Sequence, residues 1–152
     1  MEFDSIDKKL LYLLQKDCKV TTKLLSLQLN LSVTAVYERI KKLEKAGVIE
    51  KYVAVLSKEK INKDFVVLCH IRLVKHSNEY LTKFESEVVQ LKEVLECYNV
   101  SGEYDYILKV VVNNMKDYRE FINSKLTRLQ HIGSTHSTFI ISELKNSTEI
   151  LL

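Results

Sequence analysis

The chain's 152 residues, 46% of them hydrophobic, can build one ordinary domain or two small ones, each with its own core. Its net charge of +3 conceals an asymmetry: residues 1–63 hold 13 Lys/Arg against 8 Asp/Glu, whereas residues 64–152 hold 10 against 12, so a polyanionic partner is indicated for the first half alone. No apolar run approaches the roughly 18 residues of a membrane span, which excludes a helical membrane protein, and with no signal-peptide pattern the expected compartment is the cytoplasm.

Asp4 can cap a first helix running to about residue 15, with Ile6, Leu10, Leu13 and Leu14 as its apolar stripe. Thr22 can cap a second over residues 23–29, where Leu24, Leu25, Leu27 and Leu29 supply apolar contacts. Asn30-Leu31-Ser32 then interrupts the pattern with one apolar residue between two capping residues. From residue 33 to 45, Val36, Ile40 and Leu43 recur at i, i+4 and i+7 and share one face. The opposite face carries Thr34, Glu38, Lys41 and Lys45, flanked by Ala35, Tyr37, Arg39 and Lys42. Gly47 stands where a helix C-terminus favours a left-handed residue. Two short helices about a tight turn, the second cationic outside, form the pattern of a helix-turn-helix whose second helix enters the major groove.

Residues 48–56 read as an extended strand through Val48, Ile49, Tyr52, Val53 and Val55, and the polar stretch 57–64 reads as a boundary. Beyond it the pattern alternates: strand 65–74, helix 78–91, strand 94–100, a turn at Ser101-Gly102-Glu103, strand 104–112, helix 116–129 and strand 132–144. The order β-α-β-β-α-β predicts a ferredoxin-like sandwich, with two helices on one face of an antiparallel sheet. The expected fold class is therefore α+β. A winged-type helix-turn-helix domain spans residues 1–47, a linker strand 48–63, and a ferredoxin-like domain for effector binding and oligomerisation 64–152. The uncovered face of that sheet predicts a homo-oligomer.

On the helix over 33–45, Arg39, Lys41, Lys42 and Lys45 are candidates for DNA phosphates. Thr34, Ala35, Tyr37 and Glu38 sit where base edges or thymine methyl groups are reached, with Ser32 just before them. Glu38–Lys42 and Lys41–Lys45 are also spaced as on a solvated charged face. At the turn, Gly102 frees the backbone for a sharp bend and close ligand approach, and Glu103 and Asp105 are carboxylates suited to an ammonium group. The same residues also make an ordinary hairpin turn with solvated acids, and both readings stay open on the residues alone. His131 and His136 lack a Cys or carboxylate at metal-ligand spacing and read as polar surface or pocket lining. His70 reads as a core or interface residue. Cys18, Cys69 and Cys97 are widely spaced and read as small core residues. With no nucleophile–base triple, phosphate loop or paired carboxylates, no catalytic residue, metal or cofactor is expected.

Four ordered pieces carry a resemblance. They are Asp4-x-x-Asp7-x-x-Leu10-Leu11 with Leu14-Gln15-x-Asp17; Leu31-Ser32 with Val36-x-x-Arg39-x-x-x-Leu43-Glu44-x-x-Gly47-x-Ile49; Tyr52-x-Ala54-x-Leu56; and residues 100–106, Val-Ser-Gly-Glu-Tyr-Asp-Tyr, with Lys109. In this order they resemble the Lrp/AsnC (leucine-responsive, feast/famine) transcriptional regulators over nearly the whole chain. Two departures stand out: Glu103 replaces a common aspartate, and no proline follows the serine of the turn. The resemblance implies double-stranded DNA as partner, with a homodimer assembling further, often to an octamer. It also implies a small amino acid bound between dimers, a role falling on Gly102, Glu103, Tyr104 and Asp105 and also on Thr135 and Thr138. Asp105 is the expected ammonium acceptor and Gly102 the point of main-chain approach. Two other readings remain: a sirohaem-decarboxylase-like enzyme, which shares the two-domain layout and has His70 and Arg72 as nearest candidates, and an amino-acid sensor without DNA binding.

Overall fold

The computed structural model describes residues 2–152, which divide into two compact units. One runs up to Val55 and includes Leu144–Leu152; the other is Leu56–Glu143.

The first unit is built from three helices: α1 (Ser5–Lys16), α2 (Thr22–Leu29) and α3 (Val33–Lys45). Asp4 caps α1, its Oδ1 accepting the Asp7 N–H at 2.7 Å. Thr21, not Thr22, caps α2, because its hydroxyl reaches the Leu24 N–H at 3.2 Å and leaves Thr22 as the first helical residue. Asn30 closes α2 in the left-handed region at φ 53°, which asparagine tolerates better than most residues. Ser32 caps α3 through the Ala35 N–H at 3.1 Å. At its other end Gly47 takes φ 71°, while Val48 N–H reaches the Leu43 carbonyl and Gly47 N–H the Glu44 carbonyl. That pair of bonds is a Schellman closure and explains the glycine. Leu10, Leu11, Leu25, Leu29, Val36 and Leu43 are buried together as the core.

Two expectations for this part of the chain change. Residues 48–56 form no strand, because no partner strand lies beside them among the described residues and β-propensity alone makes no ladder. Residues 144–152, expected in the second domain, lie instead against α1. The Gln15 side chain exchanges two hydrogen bonds with the main chain of Ile150, and Lys16 meets Glu149 at 2.6 Å.

The second unit holds β1 (Phe65–Leu73), α4 (Asn78–Val88), β2 (Val94–Asn99), β3 (Tyr106–Val112), α5 (Met115–Ser124) and β4 (Ile132–Phe139). The sheet order is β2-β3-β1-β4, and every neighbouring pair is antiparallel. Period-two alternation sends Val67, Cys69, Ile71 and Leu73 of β1 and Tyr106, Leu108, Val110 and Val112 of β3 to one face. There they are buried against Phe84, Val88, Tyr118 and Phe121 of the helices. His70, Arg72, Ile107 and Lys109 therefore take the face that no helix covers.

Several elements end sooner than periodicity predicts. α4 stops at Val88, where the β-branched pair Val88-Val89 weakens the helix and Leu91 packs on the core from a following turn. α5 stops at Ser124, and a 3-10 turn over Leu126–Arg128 seats the fully buried Leu126. β3 starts at Tyr106 rather than residue 104. β4 stops at Phe139, opposite Val67 of β1, and one further bond, Ile140 N–H to the Val66 carbonyl, follows beyond that pair.

Carboxylates tie the first unit together electrostatically. Asp4 is held below its ordinary range by the Asp7 N–H and then by the Arg39 guanidinium. Glu44 is lowered by Lys41 and then by the Tyr52 hydroxyl. Groups whose pKa falls on folding stabilise the native state above their unfolded pKa, about 4 here, and lose that contribution as pH drops through the folded value. Thermal melts of the full chain should therefore be flat from pH 7 to about 5 and fall below about 4, with a shallower fall in Asp4→Asn. An identical acid limb in that variant would contradict the assignment.

Candidate nucleic-acid interface and effector loop

α3 buries Val36 and Leu43, while Thr34, Tyr37, Glu38, Lys41, Lys42 and Lys45 are exposed and Ala35 is half-buried. At 100° per residue Thr34, Glu38, Lys41 and Lys45 form one outward stripe. Lys41 is paired with Glu44 at 2.8 Å and lies 5.7 Å from the Tyr37 ring centre. Lys42 and Lys45 have no ion-pair partner among the described residues. Glu44 also accepts the Tyr52 hydroxyl at 3.0 Å; burial and then this carboxylate push the Tyr52 phenol up to about 12.

Arg39 is different. Its Nη1 donates to Asp4 Oδ2 at 2.8 Å and to Asp7 Oδ1 at 2.6 Å, and the Asp7 side chain is only 9% exposed. The guanidinium thus clamps α3 to the start of α1 and is turned away from the outward stripe. Ser32, likewise, uses its hydroxyl on the α3 cap.

Residues 100–105 join β2 to β3. Gly102 has φ 122°, a backbone state that L side chains rarely adopt, so glycine is required there. The loop is stitched at its base by Val100 N–H to the Asp105 carbonyl and Asp105 N–H to the Ile71 carbonyl, both at 2.9 Å. Arg72 donates from Nε and Nη2 to the Glu103 carbonyl at 3.0 and 2.8 Å and approaches the Glu103 carboxylate at 3.4 Å. Asp105 is fully engaged: Oδ2 accepts the Leu73 N–H and Oδ1 meets His76 Nε2, each at 2.7 Å. Burial alone would raise its pKa, but the Leu73 N–H and His76 outweigh that and hold it below the usual range. The Glu103 carboxylate, 72% exposed, is the open acid of the loop.

Residues 3–50 match a winged helix-turn-helix DNA-binding domain, and residues 66–150 match the Lrp/AsnC ligand binding domain. The chain belongs to the Lrp/AsnC family. The leucine-responsive regulatory protein of Haemophilus influenzae is 36% identical over 149 residues, covering 98% of this chain and 90% of that one. An AsnC family transcriptional regulator from Agrobacterium tumefaciens has TM-score 0.93 at 35% identity, covering 97% of this chain and 96% of its own. A transcriptional regulator from Neisseria meningitidis, solved as a complex with L-Met, has TM-score 0.93 at 28% identity, with 98% and 96% covered. This chain is accordingly a DNA-binding transcriptional regulator with an α+β architecture. No described helix is long and apolar enough to cross a membrane.

In this Lrp/AsnC regulator the loop keeps Gly102, Glu103, Tyr104 and Asp105 together, but the two threonines separate. Thr138 pairs with Leu68 and Thr135 with Ile71, so the two point to opposite faces of β4, as an odd spacing demands. Thr138 stands on the helix-free face beside His70; Thr135 does not. Arg72 and His76, the side chains that fix the loop, were not among the effector residues expected from the sequence. Only a strand-end Arg near an acidic loop hinted at the first, and nothing local marks the second.

Proposed function

We propose that this regulator binds double-stranded operator DNA through α3 as a cytoplasmic, non-enzymatic homodimer that assembles further. A small amino acid at the loop 100–105 would adjust its assembly or DNA affinity. The observation that carries the DNA reading is the exposed cationic side of α3, where Lys45 on the outward stripe and Lys42 on its flank have no ion-pair partner among the described residues. Thr34, Ala35, Tyr37 and Glu38 lie between or beside them, within reach of base edges. Lys41 contributes a phosphate contact once released from Glu44, whereas Arg39 serves the fold. A dimer places two such helices on a pseudo-palindromic site.

The helix-free sheet face, with Val66, Leu68, Ile107 and Val111 among its residues, is the surface a second copy would cover. For the effector, the L-Met complex of the Neisseria relative supports an amino acid as the ligand class. The geometry favours Glu103 over Asp105 for the ammonium, because both Asp105 oxygens already have partners. Gly102 gives the carboxylate a main-chain approach, Tyr104 lines the loop, and Asp105 holds it. Arg72 is occupied by the Glu103 carbonyl, which supports a positioning role in place of a catalytic one.

Lys42→Ala and Lys45→Ala test the DNA reading without touching the core. Each should weaken all duplex sequences alike and flatten the log–log salt dependence by about 0.9 per lost phosphate contact. Unchanged affinity and unchanged slope in both variants would contradict it.

A further inference from the structure

His70 on β1 and His136 on β4 are direct cross-strand partners, and both belong to the helix-free face, since the flanking Cys69 and Ile71 are buried on the other. Their ring centres lie 5.9 Å apart at an interplanar angle of 60°. Two imidazoles bound to one cation at about 2.0–2.1 Å per nitrogen bring their ring centres to roughly 5 Å, so small side-chain rotations close the pair. In the single chain His136 is exposed and His70 half-buried, and both stand on the face proposed above for a second copy, so the open side of the pair meets water or that copy. Thr138 Oγ1 lies 3.5 Å from His70 Nε2, at the limit of a hydrogen bond.

The surrounding charges are already neutralised. Arg72, 5.8 Å from the Tyr104 ring centre, is drawn to Glu103, and Lys109 on the same face is paired with Glu96 at 3.1 Å. Tyr104 lies 5.0 Å from the His70 ring centre and 6.2 Å from that of His136, and Ile107 is the other cross-strand neighbour of His70. The remaining histidines are placed elsewhere: His76 is bonded to Asp105 and His131 packs on Tyr80.

We propose that His70 and His136 together bind one divalent transition cation, Zn²⁺, Ni²⁺ or Cu²⁺, as a cross-strand imidazole chelate on the helix-free face. Imidazole nitrogen selects these borderline ions over Mg²⁺ and Ca²⁺, which take oxygen ligands. No group of three or more His, Cys, Asp or Glu able to hold a metal occurs among the described residues. One chain thus supplies two ligands, and water or the same pair on a second copy supplies the others.

Calorimetric titration of EDTA-treated full-length protein with zinc, nickel and magnesium chloride tests this. Zinc and nickel should bind at one ion per chain, or one per two chains where a second copy shares it, and magnesium should not. His136→Gln, at an exposed position on an edge strand, should weaken binding at least tenfold, as should His70→Gln, while Cys18→Ser leaves it unchanged. Nitrogen hyperfine structure from two imidazoles in the Cu²⁺ paramagnetic resonance spectrum should disappear in either variant. Failure of the wild type to bind zinc or nickel, or full binding by folded His136→Gln, overturns the proposal.

Discussion

Replacing Arg39 with alanine is expected to destabilise the helix-turn-helix unit by about 2–3 kcal/mol, the cost of leaving a buried charged acceptor unsatisfied. The loss arises at Asp7, whose carboxylate is nearly inaccessible and whose Oδ1 has the Arg39 guanidinium at 2.6 Å. For a unit of this size, each kcal/mol shifts the melting temperature by about 4–8 °C, so a drop on the order of 10 °C or more should appear by circular dichroism. Adding Asp7→Asn should restore part of it, since a neutral amide tolerates burial without a cation. DNA affinity of Arg39→Ala, measured well below its melting temperature, should then keep the wild-type salt slope, unlike Lys42→Ala and Lys45→Ala. A wild-type melting temperature with a flattened slope would return Arg39 to the phosphates.

The second large effect is expected at the loop. Screening the twenty amino acids by thermal shift identifies the ligand, because binding to the native state raises the melting temperature. Glu103→Gln should melt like wild type without ligand and lose that shift. A charge-assisted hydrogen bond is worth about 1.5–3 kcal/mol, so affinity should fall by roughly 10- to 100-fold. Asp105→Ala should behave otherwise: the apo protein itself should melt earlier, as the Leu73 N–H loses its acceptor and His76 its partner. If Glu103→Gln retains the full shift while Asp105→Asn abolishes it at an unchanged apo melting temperature, the ammonium belongs on Asp105.

Periodicity made most of the architecture legible. The i, i+4, i+7 spacing of Val36, Ile40 and Leu43 located α3, and largely apolar runs over residues 65–74 and 104–112 located the two central strands, whose ends the structure places at 65–73 and 106–112. Element ends were harder, because they depend on partners far away in sequence. Nothing within residues 132–144 shows that the ladder with β1 ends at the Val67–Phe139 pair, with one bond from Ile140 N–H to the Val66 carbonyl beyond it. The strand character of Val53 and Val55 was equally plain, yet a strand needs a neighbour. At the sites, residue type was informative and direction was not. Arg39 lies on the flank of α3, where a turn of the helix decides between DNA and the Asp4–Asp7 pair. Two acids three apart, at the cap and in the first turn of α1, were the available clue. Asp105 and Glu103 are chemically alike, and only the position of the Leu73 N–H distinguishes the acid that holds the loop from the one left open.

Selection of duplex DNA from a random library by the purified full-length chain tests the central claim most directly. Sequence-specific operator binding through α3 predicts enrichment of a pseudo-palindrome whose half-sites are spaced by about 10 base pairs or a multiple of that. The same selection with a Lys42→Ala/Lys45→Ala double variant should give much weaker enrichment. A library that returns no motif, even at low salt where phosphate contacts are strongest, would contradict it.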